Sequence, residues 1–246
     1  ATLTGSEGLG RLGSHAFRLL DAKFNPEVAA YCESHQLDHA FIPASRRLQD
    51  FRLFVTDMDS TLITIECIDE IADMQGLKAE VAAITEAAMR GELDFRESLT
   101  RRVALLEGLP EHALAQVFRE RLQLNPGAEA LIAGLKQAGI VTVLVSGGFT
   151  YFTERLQTQL GFDYAFANQL EVRAGKLTGR VKGEVIDGEA KRHTLQLVRN
   201  HHGFQRETVI AVGDGANDLP MLGEAGIGIA RSEERRVGKE CLRLCR

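Results

Sequence analysis

Three short apolar runs each stop at a side chain able to do chemistry. Residues 53–56 end at Asp57, residues 140–145 at Ser146, and residues 209–212 lead through Gly213 to Asp214. Continuous apolar runs of this length, unlike alternating ones, mark strands covered on both faces. A weaker fourth run spans 227–230, and helical patterns occupy 128–138, 151–160, 189–200 and 218–224. Strand alternating with helix predicts an α/β fold, a doubly wound parallel sheet of Rossmann-like type. Ligands of such folds bind outside the carboxyl ends of the strands, where all three terminating side chains fall.

Residues 66–124 break this alternation and carry helical signals throughout, so they read as a helical cap inserted into a core of 51–65 and 125–230. Gly76 and Gly91 punctuate the cap, Asp94 with Glu97 has the form of a helix start, and Gly108 with Pro110 marks a stop. In the helix after Asp94, Leu99, Val103 and Leu106 form the buried stripe, and Arg102 falls on it. A guanidinium on an apolar face needs an anionic partner: a cap carboxylate in a structural ion pair, or a ligand carboxylate in the cleft between cap and core. Residues 170–181, with Arg173-Ala174-Gly175-Lys176 at their centre, read as a peripheral hairpin. Residues 1–50, with helix-like stretches at 16–21 and 26–35, read as the remnant of a larger amino-terminal domain.

With 246 residues and 44% apolar content, the chain can bury one substantial core with a smaller domain attached. Its formal charge of -5 offers no basic excess for nucleic acid, and a small anionic substrate fits better. No apolar stretch approaches the ~20 residues of a membrane span. The four cysteines, Cys32, Cys67, Cys241 and Cys245, show neither metal-pair nor secreted-framework spacing, which points to a reducing cytoplasm.

The chemistry sits in four pieces. In Asp57-Met58-Asp59-Ser60-Thr61 two carboxylates stand one residue apart where a buried strand opens into a loop, so that one can attack and its neighbour can shuttle the proton. An Asp-rich turn capping a helix has the same composition. Ser146-Gly147-Gly148 lets backbone amides approach a phosphate, although such a loop is also an ordinary turn. Lys191 opens the helix after Gly188, where a lone lysine is usually a solvated charge. Gly213-Asp214-Gly215-Ala216-Asn217-Asp218 offers hard oxygen ligands suited to Mg²⁺, with Asp214 as direct ligand and Asp218 orienting a metal-bound water or Lys191. Nucleophile, proton shuttle, hydroxyl and amide donors, cation and metal at one end of one sheet are the inventory of phosphoryl transfer. Phosphatase, phosphotransferase, phospho-accepting receiver and a catalytically dead binding module all draw on it, and Asp59 and the cap speak against the receiver.

The order DMDST, SGG, Lys191 and GDGAND resembles the haloacid dehalogenase superfamily of aspartyl-phosphate hydrolases, over about residues 52–230. The cap sequence from Glu66 to Ala72, with Phe95-Arg96-Glu97-Ser98-Leu99 leading into Arg102, narrows the likeness to its branch acting on O-phospho-L-serine. That resemblance implies hydrolysis of a small phosphomonoester to L-serine and phosphate. It implies Asp57 as nucleophile, Asp59 as general acid and base, and Mg²⁺ held by Asp57, Asp214 and the Asp59 backbone carbonyl. It further implies Ser146, Gly147 and Lys191 on the phosphate, with Asn217 and Asp218 in support. Glu66 would face the substrate ammonium and Arg102 its carboxylate, while Met89 and Phe95 line the pocket; core packing explains the last two equally well. One stretch departs: where the family continues through a basic-Pro segment, a helix and a strand, residues 231–246 are a charged, Cys-containing tail without that likeness. A foreign or frame-shifted tail would leave a sheet edge and a helix missing.

Overall fold

The computed structural model describes residues 1–231 except 13, 15, 36, 38 and 44, and leaves the Met89 side chain undescribed. The tail beyond Arg231, with Cys241 and Cys245, and the pocket role expected of Met89 therefore lie outside the described residues. Among the described residues, no helix is long and apolar enough to cross a membrane.

Residues 1–50 form a unit of their own. In it β1 (Gly8–Arg11) pairs antiparallel with β2 (Phe17–Leu20), and α1 (Glu27–Ser34) supplies the helix expected across 26–35. The helix expected across 16–21 is instead the strand β2. Phe17 and Leu20 are exposed, so a helix here would have no apolar surface to bury. Pairing wins, and it stacks the Leu20 side chain on Gly8, where a Cβ would come within 3.1 Å of it.

The larger unit begins at Phe51. Its sheet opens with β3 (Leu53–Thr56), after which the insertion supplies α2 (Cys67–Asp73), α3 (Lys78–Met89), α4 (Phe95–Ala104) and α5 (His112–Glu120). The chain returns through α6 (Ala128–Gln137) to β4 (Val141–Phe149), α7 (Thr150–Leu160) and the hairpin β5 (Tyr164–Arg173) and β6 (Lys176–Lys182). It closes with α8 (Gly188–His201), β7 (Val209–Gly213), α9 (Leu219–Glu224) and β8 (Ile227–Ala230). Strand order is β6-β5-β4-β3-β7-β8, parallel except for the antiparallel β5–β6 edge. This is the α/β doubly wound sheet expected from the alternation.

Period-two geometry explains why β3 is apolar at every position. Leu53 and Val55 point to one face and pack with Leu195 and Val198 of α8 and Met221 and Leu222 of α9. Phe54 points to the other and packs with residues of α6, α7 and the insertion. Burying each such side chain contributes roughly 1.5–3 kcal/mol. The insertion shares that second cluster through Ile71, Leu99, Val103 and Val117, so cap and sheet form one compact unit.

Cap and core are joined at a short ladder. Ile63 bridges Leu124, and the Asn125 Nδ2 amide donates to the carbonyls of Thr61 and Ile63, each at 2.9 Å. The Arg231 guanidinium donates to the carbonyls of Ser60 and Thr61 and to Asn125 Oδ1, all at 2.9 Å. Ser60 has φ of 53°, a left-handed turn that throws the chain from the end of β3 into this ladder.

Candidate active site

The central strand β3 delivers Asp57 to the carboxyl edge of the sheet, where its backbone N–H donates to Val212 O of β7 at 2.9 Å. Opposite it, α8 delivers Lys191. This lysine is fully buried, not a solvated charge, and its Nζ lies 2.8 Å from Asp57 Oδ1 and 2.7 Å from Asp218 Oδ1. Asp218 Oδ2 accepts the backbone N–H groups of Asp214 (3.1 Å) and Gly215 (3.0 Å), fixing the turn that carries Asp214. Asp218 thus orients Lys191 and shapes the acidic turn at once. Asp214 Oδ1 accepts the Thr61 hydroxyl, a contact that the sequence reading did not assign.

Electrostatics here follow from burial. Desolvation pushes Asp57 up to about 7, with Lys191 pulling it down and Asp218 adding to the rise. Burial likewise raises Asp214. Burial alone would depress Lys191, but the facing carboxylates Asp57 and Asp218 outweigh it and raise the group, which stays an ammonium.

Asp59 lies two residues beyond Asp57 and shares the cleft. Its Oδ1 accepts the Cys67 backbone N–H at 3.1 Å, and its Oδ2 sits over Gly148, where a Cβ would come within 2.6 Å of it. Burial, then the neighbouring Glu66 and Asp57 charges, push the Asp59 carboxyl well above the usual carboxylate range. Gly147 admits the Phe95 ring of α4 in the same way, since a Cβ there would meet Cζ at 2.7 Å. Ser146-Gly147-Gly148 differs from the free loop its composition suggests: β4 continues through it to Phe149, which pairs with Asn168 of β5. Residues 146–148 form a bulge in the ladder between the pairs Val145–Phe166 and Phe149–Asn168, and Ser146 Oγ accepts the Gly148 N–H at 2.8 Å.

These groups line a cleft of about 150 Å³ with Asp57, Asp59, Ser146, Gly147, Asp214 and Asn217 on the core side and Glu66, Phe95, Leu99 and Arg102 on the cap side. Glu66 Oε1 accepts the Ser60 hydroxyl at 2.6 Å, and burial raises its pKa. Arg102 forms no ion pair among the described residues. Its Nε–H reaches only Ser98 O, at a long 3.4 Å. Burial lowers its pKa, opposed by the more distant charges of Asp69, Glu66 and Asp59. The alternative of a structural ion pair with a cap carboxylate is therefore not what the fold provides. Nearby, Asp69 Oδ1 and Ser98 Oγ are buried without hydrogen-bond partners among the described residues.

Sequence reasoning missed Thr61, the Cys67 amide and Asn125. Thr61 stood in a motif already singled out, but its partner lies far along the chain. The Cys67 amide is main chain and leaves no compositional trace.

A divalent cation fits this donor set. Carboxylate oxygens of Asp57, Asp214 and Asp218 lie within 4.8 Å of one another, and hard oxygen donors crowded in this way suit a small divalent ion. Asp57 Oδ1 touches Lys191 Nζ without hydrogen-bond alignment, leaving it lone-pair capacity for a metal. Asp218 commits Oδ1 to Lys191 and Oδ2 to two amides, which suits a supporting part. The Asp59 side chain stands outside the cluster, and its backbone carbonyl accepts the Thr61 N–H at 2.6 Å.

A buried carboxylate at a strand end beside a second carboxylate, a buried lysine and an acidic turn, on a mostly parallel sheet with a helical insertion, defines a class. The chain belongs to the haloacid dehalogenase-like hydrolases, whose family model matches residues 54–223. It is 53% identical over 201 residues to a phosphoserine phosphatase of Polaromonas sp., covering 80% of this chain and 85% of that protein. Its identity to a phosphoserine phosphatase of Albidiferax ferrireducens is 54% over 189 residues, 75% and 80% of the two chains. Among solved structures, it resembles a phospho-aspartyl intermediate analogue of phosphoserine phosphatase with a TM-score of 0.69 and 45% identity, over 73% of this chain and 86% of that one.

Proposed function

We propose that this chain hydrolyses O-phospho-L-serine to L-serine and inorganic phosphate through a phosphoryl group carried on Asp57. The observation that carries the substrate is the pairing of charges along one cleft. Phosphate chemistry gathers at the core end, while an Arg102 without an ion-pair partner and a Glu66 carboxylate stand at the cap end, matching a substrate with phosphate, carboxylate and ammonium groups. The phosphoserine phosphatases to which the chain is similar support the same reading.

Asp57 attacks phosphorus with a carboxylate oxygen, and the bond from phosphorus to the serine oxygen breaks with its electron pair leaving on that oxygen. Asp59, whose carboxyl burial pushes upward, serves as the general acid and gives its proton to the departing serine oxygen. Water then attacks the phosphoryl group, Asp59 takes a proton from it, and the bond from phosphorus to Asp57 breaks to return the carboxylate. The Ser146 hydroxyl, the Gly147 amide and the Lys191 ammonium balance charge on the phosphoryl oxygens. Asp218 holds Lys191 in place, and Asn217 supports the acidic turn. Mg²⁺, held by Asp57, Asp214 and the Asp59 carbonyl, would offset the repulsion between the Asp57 carboxylate and an anionic phosphate, roughly 4 kcal/mol for two unit charges at about 4 Å and an effective dielectric of 20. Phe95 and Leu99 present apolar surface on the cap side of the cleft.

The test is a phosphate-release comparison of phosphoserine with p-nitrophenyl phosphate, with Mg²⁺ present. Preference for phosphoserine in kcat/KM is expected. Equal turnover of the two, or no turnover of phosphoserine, would overturn the assignment of substrate.

A further inference from the structure

We infer that Asn168, a residue outside the cleft lining, is a positioning residue that holds the phosphate cradle together from behind. The inference rests on the aspartyl-phosphate reading of the site. Asn168 lies on β5, is 1% exposed, and makes two hydrogen bonds with its side-chain amide. Its Nδ2–H donates to Gly147 O at 2.7 Å, and its Oδ1 accepts the Ile186 N–H at 2.8 Å. Those partners also settle the orientation of the amide, because a carbonyl can only accept and a backbone N–H can only donate.

Each bond reaches a different part of the cradle. The peptide between Gly147 and Gly148 has its carbonyl held by Asn168 and its N–H bonded to Ser146 Oγ at 2.8 Å, so both edges of one plane are tied. Ser146 Oγ accepts that N–H with one lone pair and keeps its hydroxyl proton for another acceptor. At the other end, Ile186 precedes Asp187, the N-cap of α8. Asp187 Oδ1 accepts the Ala190 N–H at 3.0 Å, and its carbonyl accepts the Lys191 N–H at 2.9 Å. One buried amide therefore ties the segment that presents Ser146 to the segment that launches Lys191. No isostere does both: a carboxylate lacks the donor facing Gly147, and an aliphatic side chain would strand both backbone groups.

The experiment uses Asn168→Asp, whose ionised form keeps the acceptor for Ile186 and loses the donor to Gly147, together with Asn168→Ser, which removes both bonds and cannot regain the donor by protonation. The readouts are kcat/KM on p-nitrophenyl phosphate and phosphoserine, calorimetric affinity for inorganic phosphate, and melting temperature. Positioning predicts that kcat/KM falls about tenfold or more on both substrates alike, with a parallel loss of inorganic-phosphate affinity. It also predicts that in a Ser146→Ala background each substitution costs less than it does in wild type, since one of the groups it acts through is gone. Kinetics of Asn168→Ser within about twofold of wild type, whatever the melting temperature, or an undiminished loss in the Ser146→Ala background, would overturn the inference. Should Asn168→Asp not fold, Asn168→Ser, which leaves room for water, is read alone by the same criteria. A wild type active on the aryl phosphate but not on phosphoserine would overturn the substrate assignment while leaving this test intact.

Discussion

The two walls of the cleft are finished to different degrees. On the core wall Lys191, Asp218, Thr61 and Asp214 are satisfied by one another, and the backbone amides of the acidic turn are already bound. On the cap side Arg102 has one long bond and, behind the cleft lining, Asp69 Oδ1 and Ser98 Oγ are buried without hydrogen-bond partners among the described residues; on the core wall only Asp57 Oδ1, the oxygen left open for a metal, shares that state. Phosphoryl transfer needs groups fixed in advance, because reorganising them during reaction would forfeit their electrostatic stabilisation. Recognition of a particular substrate works the other way, through buried polar groups that a correct ligand satisfies and a wrong one strands.

That contrast predicts effects of decreasing size. Replacing Lys191 by Met leaves two buried carboxylates facing each other, and removing one partner of a buried charge cluster costs about 3–5 kcal/mol. Chemical denaturation should show that loss together with near-complete loss of turnover. A stable, active Lys191→Met would show that the core wall is not held by this ion pair. Arg102→Ala should lower kcat/KM for phosphoserine by about 10–100-fold, the worth of a charged hydrogen bond, while sparing p-nitrophenyl phosphate. Equal losses on both substrates would make Arg102 a structural residue and erase the contrast.

Metal removal probes the excess of buried carboxylate. Burial raises the folded-state pKa of Asp57, Asp59, Glu66 and Asp214. A raised folded pKa contributes stability that is complete below the unfolded value and is lost as pH rises through the folded one. For Asp57 that window runs from its ordinary 3.8 to about 7. The EDTA-treated protein should therefore melt lower near neutral pH than near pH 5 (roughly the middle of that window), and added Mg²⁺ should restore the neutral value. A melting temperature independent of pH and Mg²⁺ would speak against the cluster. The smallest effect is expected at Asp94, whose side chain accepts the Glu97 N–H at 2.7 Å and caps α4. Asp94→Ala should cost about 1 kcal/mol on denaturation and leave aryl phosphate turnover unchanged.

What was legible in the chain follows from the same physics. Strands β3, β4 and β7 announced themselves because a strand buried on both faces has no polar position to interrupt its run. Arg102 was legible because a charge on an apolar stripe is a local contradiction. Lys191 was not legible as buried, since what makes its burial tolerable is Asp218, 27 residues later in sequence. Residues 16–21 were read as helix because a four-residue strand offers too little pattern to reveal its partner. Asn168 left no signal at all: its meaning is two backbone groups that only the fold brings to it.

The central claim is covalent chemistry on Asp57. During turnover of phosphoserine with Mg²⁺, rapid quenching followed by borohydride reduction converts an aspartyl phosphate to homoserine, and peptide mass spectrometry locates it. Homoserine is expected at position 57 and at no other aspartate. Homoserine elsewhere, or phosphate release at full rate from Asp57→Asn, would contradict it.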